Sequence, residues 1–309
     1  MEESMMKKVL SIVFVLLMLF ALSACGKDAN DGGTAITSDR KLGLGSVNAL
    51  TVDGTEKTVV KATVAAVVLD KDNKIVKCEL DEAEIPVELK SGALQMAADL
   101  LTKDDADDSN WDSQVDAFCK FVEGKTGAEV AAIAVTDGKS SQIVGCDLVI
   151  TDFIQAVKVA ADNAKNKNIG ENDDLDLALT VAKSYESTDA KPQFDIEMAA
   201  MTKGENGVIT GCMTDSAQAK LTVENGLFTH AAGKLSTKRE AGDNYGMKIA
   251  SSIQKEWYEQ ADAFDAYAAG KTASDLKALA IGNDGKTDAI SGCTMAVSGM
   301  LKNAIKAAD

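Results

Sequence analysis

The chain has 309 residues, 46% of them hydrophobic, and a formal charge of −16 at neutral pH. Such acidity repels phosphate backbones and anionic lipid, which argues against nucleic acid as a partner and against electrostatic adhesion to a membrane. The composition is that of a folded protein, and the length suggests two domains, since a single core rarely extends so far.

At the amino terminus Lys7 and Lys8 precede an apolar run from Val9 to Leu22. The run is long enough for a signal-peptide core and short for a membrane span. It ends in Leu22-Ser23-Ala24-Cys25-Gly26, which resembles a bacterial lipobox. Residues 1–24 are therefore expected to be a lipoprotein signal peptide. Cys25 becomes the acylated amino terminus and anchors the protein on the extracytoplasmic face of the cell membrane. Lipid anchoring rests on buried CH₂ groups, each contributing roughly 0.8 kcal/mol. Residues 25–40 read as a flexible tether, polar from Asp28 to Asp39 and containing Gly32-Gly33.

Two stretches of related sequence follow, residues 41–162 and 175–309, with Asn163 to Asp174 as the connector. The pattern Trp111-x-x-Gln114-x-Asp116-Ala117-Phe118 returns as Trp257-x-x-Gln260-x-Asp262-Ala263-Phe264. The tract Leu235 to Gly246 has no counterpart in the first stretch. In each stretch β-branched and apolar residues predict a hairpin. The first runs Val64–Leu69 and Lys74–Leu80 around Asp70–Asn73; the second runs Ile196–Met201 and Val208–Met213 around Gly204–Gly207. A helix is predicted next, with Trp257, Phe264 and Tyr267 on its core side and Gly270 as its cap. A short segment, Val130–Val135 or Leu276–Ile281, leads to a final helix starting near Asp152 or Ser298. The expected fold is α+β, with two tandem repeats, each a small antiparallel sheet with flanking helices.

Between the short segment and the final helix lies a motif present twice. The first copy is Asp137-Gly-Lys-Ser-Ser-Gln-Ile-Val-Gly-Cys-Asp147. The second is Asp284-Gly-Lys-Thr-Asp-Ala-Ile-Ser-Gly-Cys-Thr294. A phosphoester needs an exposed alcohol and a backbone that admits a bulky phosphate; Thr294 supplies the first and Gly292 the second. Asp147 offers no stable ester, and its charge repels phosphate. The second copy, with Asp288, Ser291, Gly292, Cys293 and Thr294, resembles the Asp-x-x-Ser-Gly-Ala-Thr motif of FMN-binding domains, with Cys293 in place of alanine. The tract Lys238–Met247 and the following Trp257-Tyr-Glu-Gln resemble extracellular electron-transfer lipoproteins of Gram-positive bacteria, the pheromone-lipoprotein type. That resemblance implies two FMN-binding-like repeats, the first with a degenerate motif. It also implies FMN joined through its phosphate to Thr294 by a separate flavin transferase that uses FAD. Asp288, Ser291 and Gly292 would be recognition residues. The implied partners are a membrane quinol-oxidising electron donor and an extracellular electron acceptor, and the implied role is an electron carrier rather than an enzyme.

Five cysteines remain after Cys25. An exported chain could pair Cys78 with Cys146 and Cys212 with Cys293; the other reading leaves all five as small buried residues. Cys119 has no counterpart. His230 is the one histidine and no Cys-x-x-Cys occurs, so no catalytic constellation, zinc site or c-type haem is expected. Two other readings stand beside the flavin carrier: a lipid-anchored receptor for a small ligand, and a structural lipoprotein without covalent flavin.

Overall fold

The computed structural model describes residues 38–96, 100–106, 108–184 and 191–309. The expected signal peptide, Cys25 and most of the tether lie outside the described residues. The chain is α+β with antiparallel sheets. Strands β1 (Lys41–Asp53), β2 (Lys57–Leu69) and β3 (Ile75–Lys90) form a meander. β4 (Ala93–Met96) extends it beyond β3, and β5 (Lys165–Asn166) and β11 (Gly233–Leu235) pair with β1. A second meander holds β6 (Asp174–Lys183), β7 (Gln193–Lys203) and β8 (Ile209–Lys220). Two-residue strands β9 (Val223–Glu224) and β10 (Leu227–Phe228) make a small separate hairpin.

Helices α1 (Ser109–Val122), α2 (Gly127–Ala131) and α3 (Thr151–Asn163) follow the first three long strands. α4 (Lys238–Ala241), α5 (Trp257–Ala268), α6 (Ala273–Lys277) and α7 (Ser298–Ala308) follow the second three. The resulting order is helix, sheet, sheet, helix. Val64, Ala66 and Val68 face a core shared with Ile196, Met198 and Ala200 of the opposite sheet. The alternate residues Ala65, Val67 and Leu69 pack under Phe118, Phe153 and Val157 of α1 and α3. On the far side Met201, Ile209 and Cys212 pack under Trp257, Phe264, Met300 and Ala304. Each sheet is thus buried on both faces where helices cover it, which explains why β2 reads as a continuous apolar run from Val64 to Leu69, whereas the far half of β3 alternates, with Glu84, Pro86 and Lys90 exposed. The two halves share the inter-sheet core and form one unit.

Both predicted hairpins form, and their strands run longer than the apolar clusters that signalled them. The first turn is held by Asp70, whose carboxylate accepts from Asp72 N and Lys74 N, both at 2.9 Å, while Asn73 takes a positive φ of 59°. The second is closed by Gly204 N donating to Val208 O at 2.9 Å. Strands β1 and β6 were not expected. The connector is also a packed element: Ile169 is buried, and Asp173 accepts from Thr210 Oγ1 at 2.6 Å and Gly170 N at 2.7 Å. α3 and α7 follow Ile150 and Val297, neither of which makes a side-chain cap. Asp152 lies inside the first turn of α3 and pairs with Lys61 at 3.2 Å, so it is not the cap expected for that helix. Ser298 is likewise the first helical residue.

Several contacts recur between the halves. Ile75 N donates to Lys125 O at 2.9 Å and accepts at its own carbonyl from Gly124 N at 2.8 Å. Ile209 repeats this with Lys271 O and Gly270 N, both at 2.8 Å. Thr126–Glu129 and Thr272–Asp275 each form a reciprocal capping box at a short helix.

The tightest packing lies where α3 crosses β1. A Cβ on Gly43 would stand 2.0 Å from Ala160 O, and one on Gly45 would stand 2.2 Å from Ala160 N. The helix therefore rests on bare backbone. Gly45→Ala is expected to lower stability by roughly 2–4 kcal/mol through overpacking. Gly233→Ala, with no atom within 4 Å of the added methyl, should be close to neutral; urea denaturation of both variants checks the difference.

Candidate cofactor-attachment site

The second motif is a chain of turns between α6 and α7. Gly285 and Gly292 have φ of 75° and 82°, a left-handed backbone that glycine adopts without strain. Gly282 N donates to Lys286 O at 2.8 Å, Cys293 N to Ile290 O at 3.2 Å, and Val297 N to Gly285 O at 2.7 Å. Ile290, Cys293, Met295 and Val297 point into the helix-covered core. Thr294, between two buried neighbours, is half-buried, and Ser291 and Asp288 are exposed.

One side chain of α5 holds this turn. Gln260 Oε1 accepts from Thr294 N at 2.8 Å, from Met295 N at 3.2 Å and from Thr294 Oγ1 at 3.3 Å. Two backbone donors fix the amide with its oxygen toward the motif. Its nitrogen donates to Ser251 Oγ and Lys255 O, both at 3.2 Å, and to Met247 Sδ at 3.5 Å. Gln260 is 1% exposed, so every polar atom of a buried amide is satisfied. The amides nearest the hydroxyl are taken by this residue and are not free for an anion. The first turn of α7 lies further along, at Ser298.

The segment from Met247 to Lys255 closes over Gln260. Glu256, itself buried, accepts from Met247 N at 2.8 Å and Lys248 N at 3.1 Å, which pins the segment down. Ile249 stands on it 96% exposed. A Cβ on Gly292 would lie 3.1 Å from Lys255 Nζ, so an ammonium sits beside the glycine that precedes Cys293 and Thr294. Lys238 lies over the rings of Trp257 and Tyr245, at 5.1 and 5.7 Å from their centroids, within cation–π range.

The tract Leu235 to Gly246 carries Arg239, whose guanidinium is largely buried. It donates to Thr214 O at 2.5 Å, Asp262 Oδ1 at 2.6 Å and Asp265 Oδ2 at 2.7 Å. Asp265 also accepts from Thr214 N at 3.1 Å and Thr214 Oγ1 at 2.8 Å. A cavity of about 560 Å³ opens beside this network, lined by Ser46, Asn163, Lys165, Asp215, Arg239 and Tyr258.

The first motif has similar backbone contacts in different surroundings. Gln114 Oε1 accepts from Asp147 N at 2.7 Å, and Ile150 N donates to Gly138 O at 2.8 Å. Gln114 is only half-buried; its amide nitrogen meets Asn110 O at 3.3 Å, on its own helix. Asp147 is exposed and pairs with Lys139 at 3.2 Å.

Of the sequence-derived residues, Gly292, Cys293 and Thr294 share one turn with Ser291 at its rim. Asp288 stands apart on the preceding turn. Trp257 and Phe264 are core residues, and Tyr267 is half-buried under Lys271, 4.3 Å from its ring centroid. Gln260 and Lys255 were missed as site residues. Gln260 was visible only as part of the repeated Trp-x-x-Gln pattern, and Lys255 carried no signal. The described cysteines are free and buried; Cys78 lies against Cys119 rather than Cys146. His230 Nε2 meets Thr58 Oγ1 at 3.0 Å, away from the motif. Among the described residues no helix is long and apolar enough to cross a membrane, and no cluster of ligating side chains could hold a metal ion. No protein-family model, curated protein or solved structure matches the chain.

Glu197 lies under α7; a Cβ on Gly299 would stand 3.0 Å from its carboxyl carbon, and Ser216 donates to its Oε1 at 3.1 Å. Burial raises its pKa to about 7, with Lys238 and Ser216 opposing the shift. The folded state therefore favours the protonated acid. This contribution is complete below pH 4.5 and is lost as pH rises through about 7. Glu197→Gln should remove a fall in stability on the order of 1–3 kcal/mol across that window, read as the difference between the two pH profiles of unfolding.

Proposed function

We propose that this chain is a lipid-anchored, extracytoplasmic electron-transfer protein carrying FMN as a phosphoester on Thr294. The observation that carries the reading is the Thr294 hydroxyl, half-buried in a turn built around Gly292, with its backbone held by Gln260 and the Lys255 ammonium beside the glycine. The residues fit a phosphate ester. Esterification removes only the longest of the three hydrogen bonds to Gln260 Oε1 and leaves both backbone bonds intact. A cation next to Gly292 offsets phosphate charge in a protein of net charge −16. Cys293 points into the core, where its small side chain takes the place alanine has in the family motif. A flavin transferase would exchange the AMP portion of FAD for the threonine oxygen.

The isoalloxazine supplies the redox chemistry; the protein supplies attachment and surroundings. Gln260 fixes the attachment point. The segment Met247–Lys255 carries the exposed apolar Ile249, and Lys255 brings its ammonium beside Gly292. A covalent link keeps the cofactor where free FMN is dilute and a non-covalent ligand would be lost. The recurring contacts around Ile75 and Ile209, and around Gln114 and Gln260, support the reading of two FMN-binding-like repeats, residues 41–162 and 175–309. The exposed Asp147–Lys139 pair supports a first repeat that carries no ester. A membrane quinol-oxidising donor and an extracellular acceptor complete the pathway.

A second reading, a lipid-anchored small-ligand receptor without covalent flavin, draws on the cavity between the halves. It predicts ligand-dependent thermal stabilisation of a colourless protein.

Co-expression with a flavin transferase decides between them. The exported chain should gain the mass of FMN less water and absorb in the visible. Thr294→Ala should lose both completely, and Thr294→Ser, which keeps the alcohol, should retain modification. An unmodified peptide containing Thr294 in the presence of active transferase overturns the reading.

A further inference from the structure

The outer face of β3 sets one thiol against another. Cys119, on the buried side of α1, donates to Cys78 Sγ at 3.1 Å. The two residues are 8% and 7% exposed and sit in the apolar core under α1 and α3. The corresponding places in the second half hold Cys212 and Asp265, 3.8 Å apart at Sγ and Oδ1, where Arg239 answers the carboxylate. The first half has no equivalent of Arg239, and its core there contains two thiols facing each other. Covalent sulfur–sulfur bonds are about 2.05 Å long. The thiols are thus roughly 1 Å from bonding distance, without any change in which elements pack together.

We propose that Cys78 and Cys119 close into a disulfide when the chain folds in an oxidising compartment. The co-reactant is an external disulfide. The Cys78–Cys119 bond forms, the bond of the external disulfide breaks, and two electrons pass to its sulfurs. The two thiol protons leave with the two external thiols so formed. This step does not depend on a flavin at Thr294.

The local chemistry sets when the bond forms. The attacking species is a thiolate. In the finished fold the Cys119 thiol is held well above its ordinary pKa, first by its hydrogen bond with Cys78 and then by burial. Closure therefore belongs to folding, while the sulfurs are still open to the oxidant. Once formed, the bond is shielded from reductants by the same packing. Cys146, Cys212 and Cys293 are also buried, and none of them is hydrogen-bonded to another thiol.

The bond would tie β3 to α1 across a sequence separation of 41 residues. Removing it should lower the melting temperature by on the order of 5–10 °C, from the loop entropy it withholds from the unfolded chain. The test is refolding of the full mature chain in a glutathione and glutathione-disulfide buffer, followed by alkylation in denaturant and peptide mapping. The expected product links the peptides of Cys78 and Cys119, with the other core cysteines alkylated and the intact mass lower by two hydrogens. Dithiothreitol should lower the melting temperature of this product and of a Cys146→Ser variant, but leave Cys119→Ser unchanged. Recovery of Cys78 and Cys119 both alkylated, either one as a glutathione adduct, or either bridged to a different cysteine overturns the proposal. Mapping of the unmutated chain decides the matter even where Cys119→Ser does not fold.

Discussion

Two sheets face each other and helices cover the other side of each, so the strand segments beneath the helices must be apolar on both faces. That constraint organises the molecule. It gives β2 its unbroken run of small and β-branched residues and sets Met198 and Ala200 inward while Met201 points outward. It forces α3 to press on the bare backbone of Gly43 and Gly45. Polar side chains that enter these layers must bring their partners with them. Gln260 and Asp265 do so; Asn303 is bonded through its amide nitrogen to Thr180 and Gly299, while its Oδ1 is buried without a hydrogen-bond partner.

Under the proposed function, the two motifs show how surroundings decide chemistry on one backbone. In both, a glutamine one helix away accepts from the last residue of the motif. In the second half a further segment buries that glutamine and consumes its amide hydrogens. The turn around Thr294 is therefore held by a side chain that cannot rotate away. In the first half Gln114 is half-buried, its target carries a carboxylate, and an exposed lysine answers the charge. Under the proposed function one turn is a rigid attachment point and the other a solvated loop.

The sequence reveals local structure where its signals are dense. The turns at Asp70–Asn73 and Gly204–Gly207 carry their own chemistry, and the Trp-x-x-Gln-x-x-x-Phe helices bury Trp111, Phe118, Trp257 and Phe264, while Tyr267 is only half-buried. β1 escaped because Gly43, Gly45 and Ser46 dilute its apolar pattern, and those glycines are needed for a helix that arrives more than a hundred residues later. β6 escaped because its alternating Asp and Leu follow a tract rich in Asn, Lys and Gly that resembles a linker. That tract is ordered by Asp173 and by contacts with Ser38 and Arg40 across the chain. The turn that groups Gly292, Cys293 and Thr294 was legible from the motif. Gln260 and Lys255 were not, because their roles arise only when a turn near the carboxyl end folds back on α5. The Cys78–Cys119 contact was hidden for the same reason: spacing along the chain does not say which face of α1 meets β3.

The buried ion pair between Arg239 and Asp265 also constrains how this architecture can change over generations. Deleting the tract that carries the arginine would strand an uncompensated carboxylate in the core, a loss of about 3–5 kcal/mol for such pairs. Replacing the aspartate first would leave the guanidinium with Asp262 and a carbonyl, a milder defect. The tract can therefore be shed only along mutational routes that remove Asp265 beforehand. A chimera exchanging the two halves of the fold must transplant both residues as a single unit.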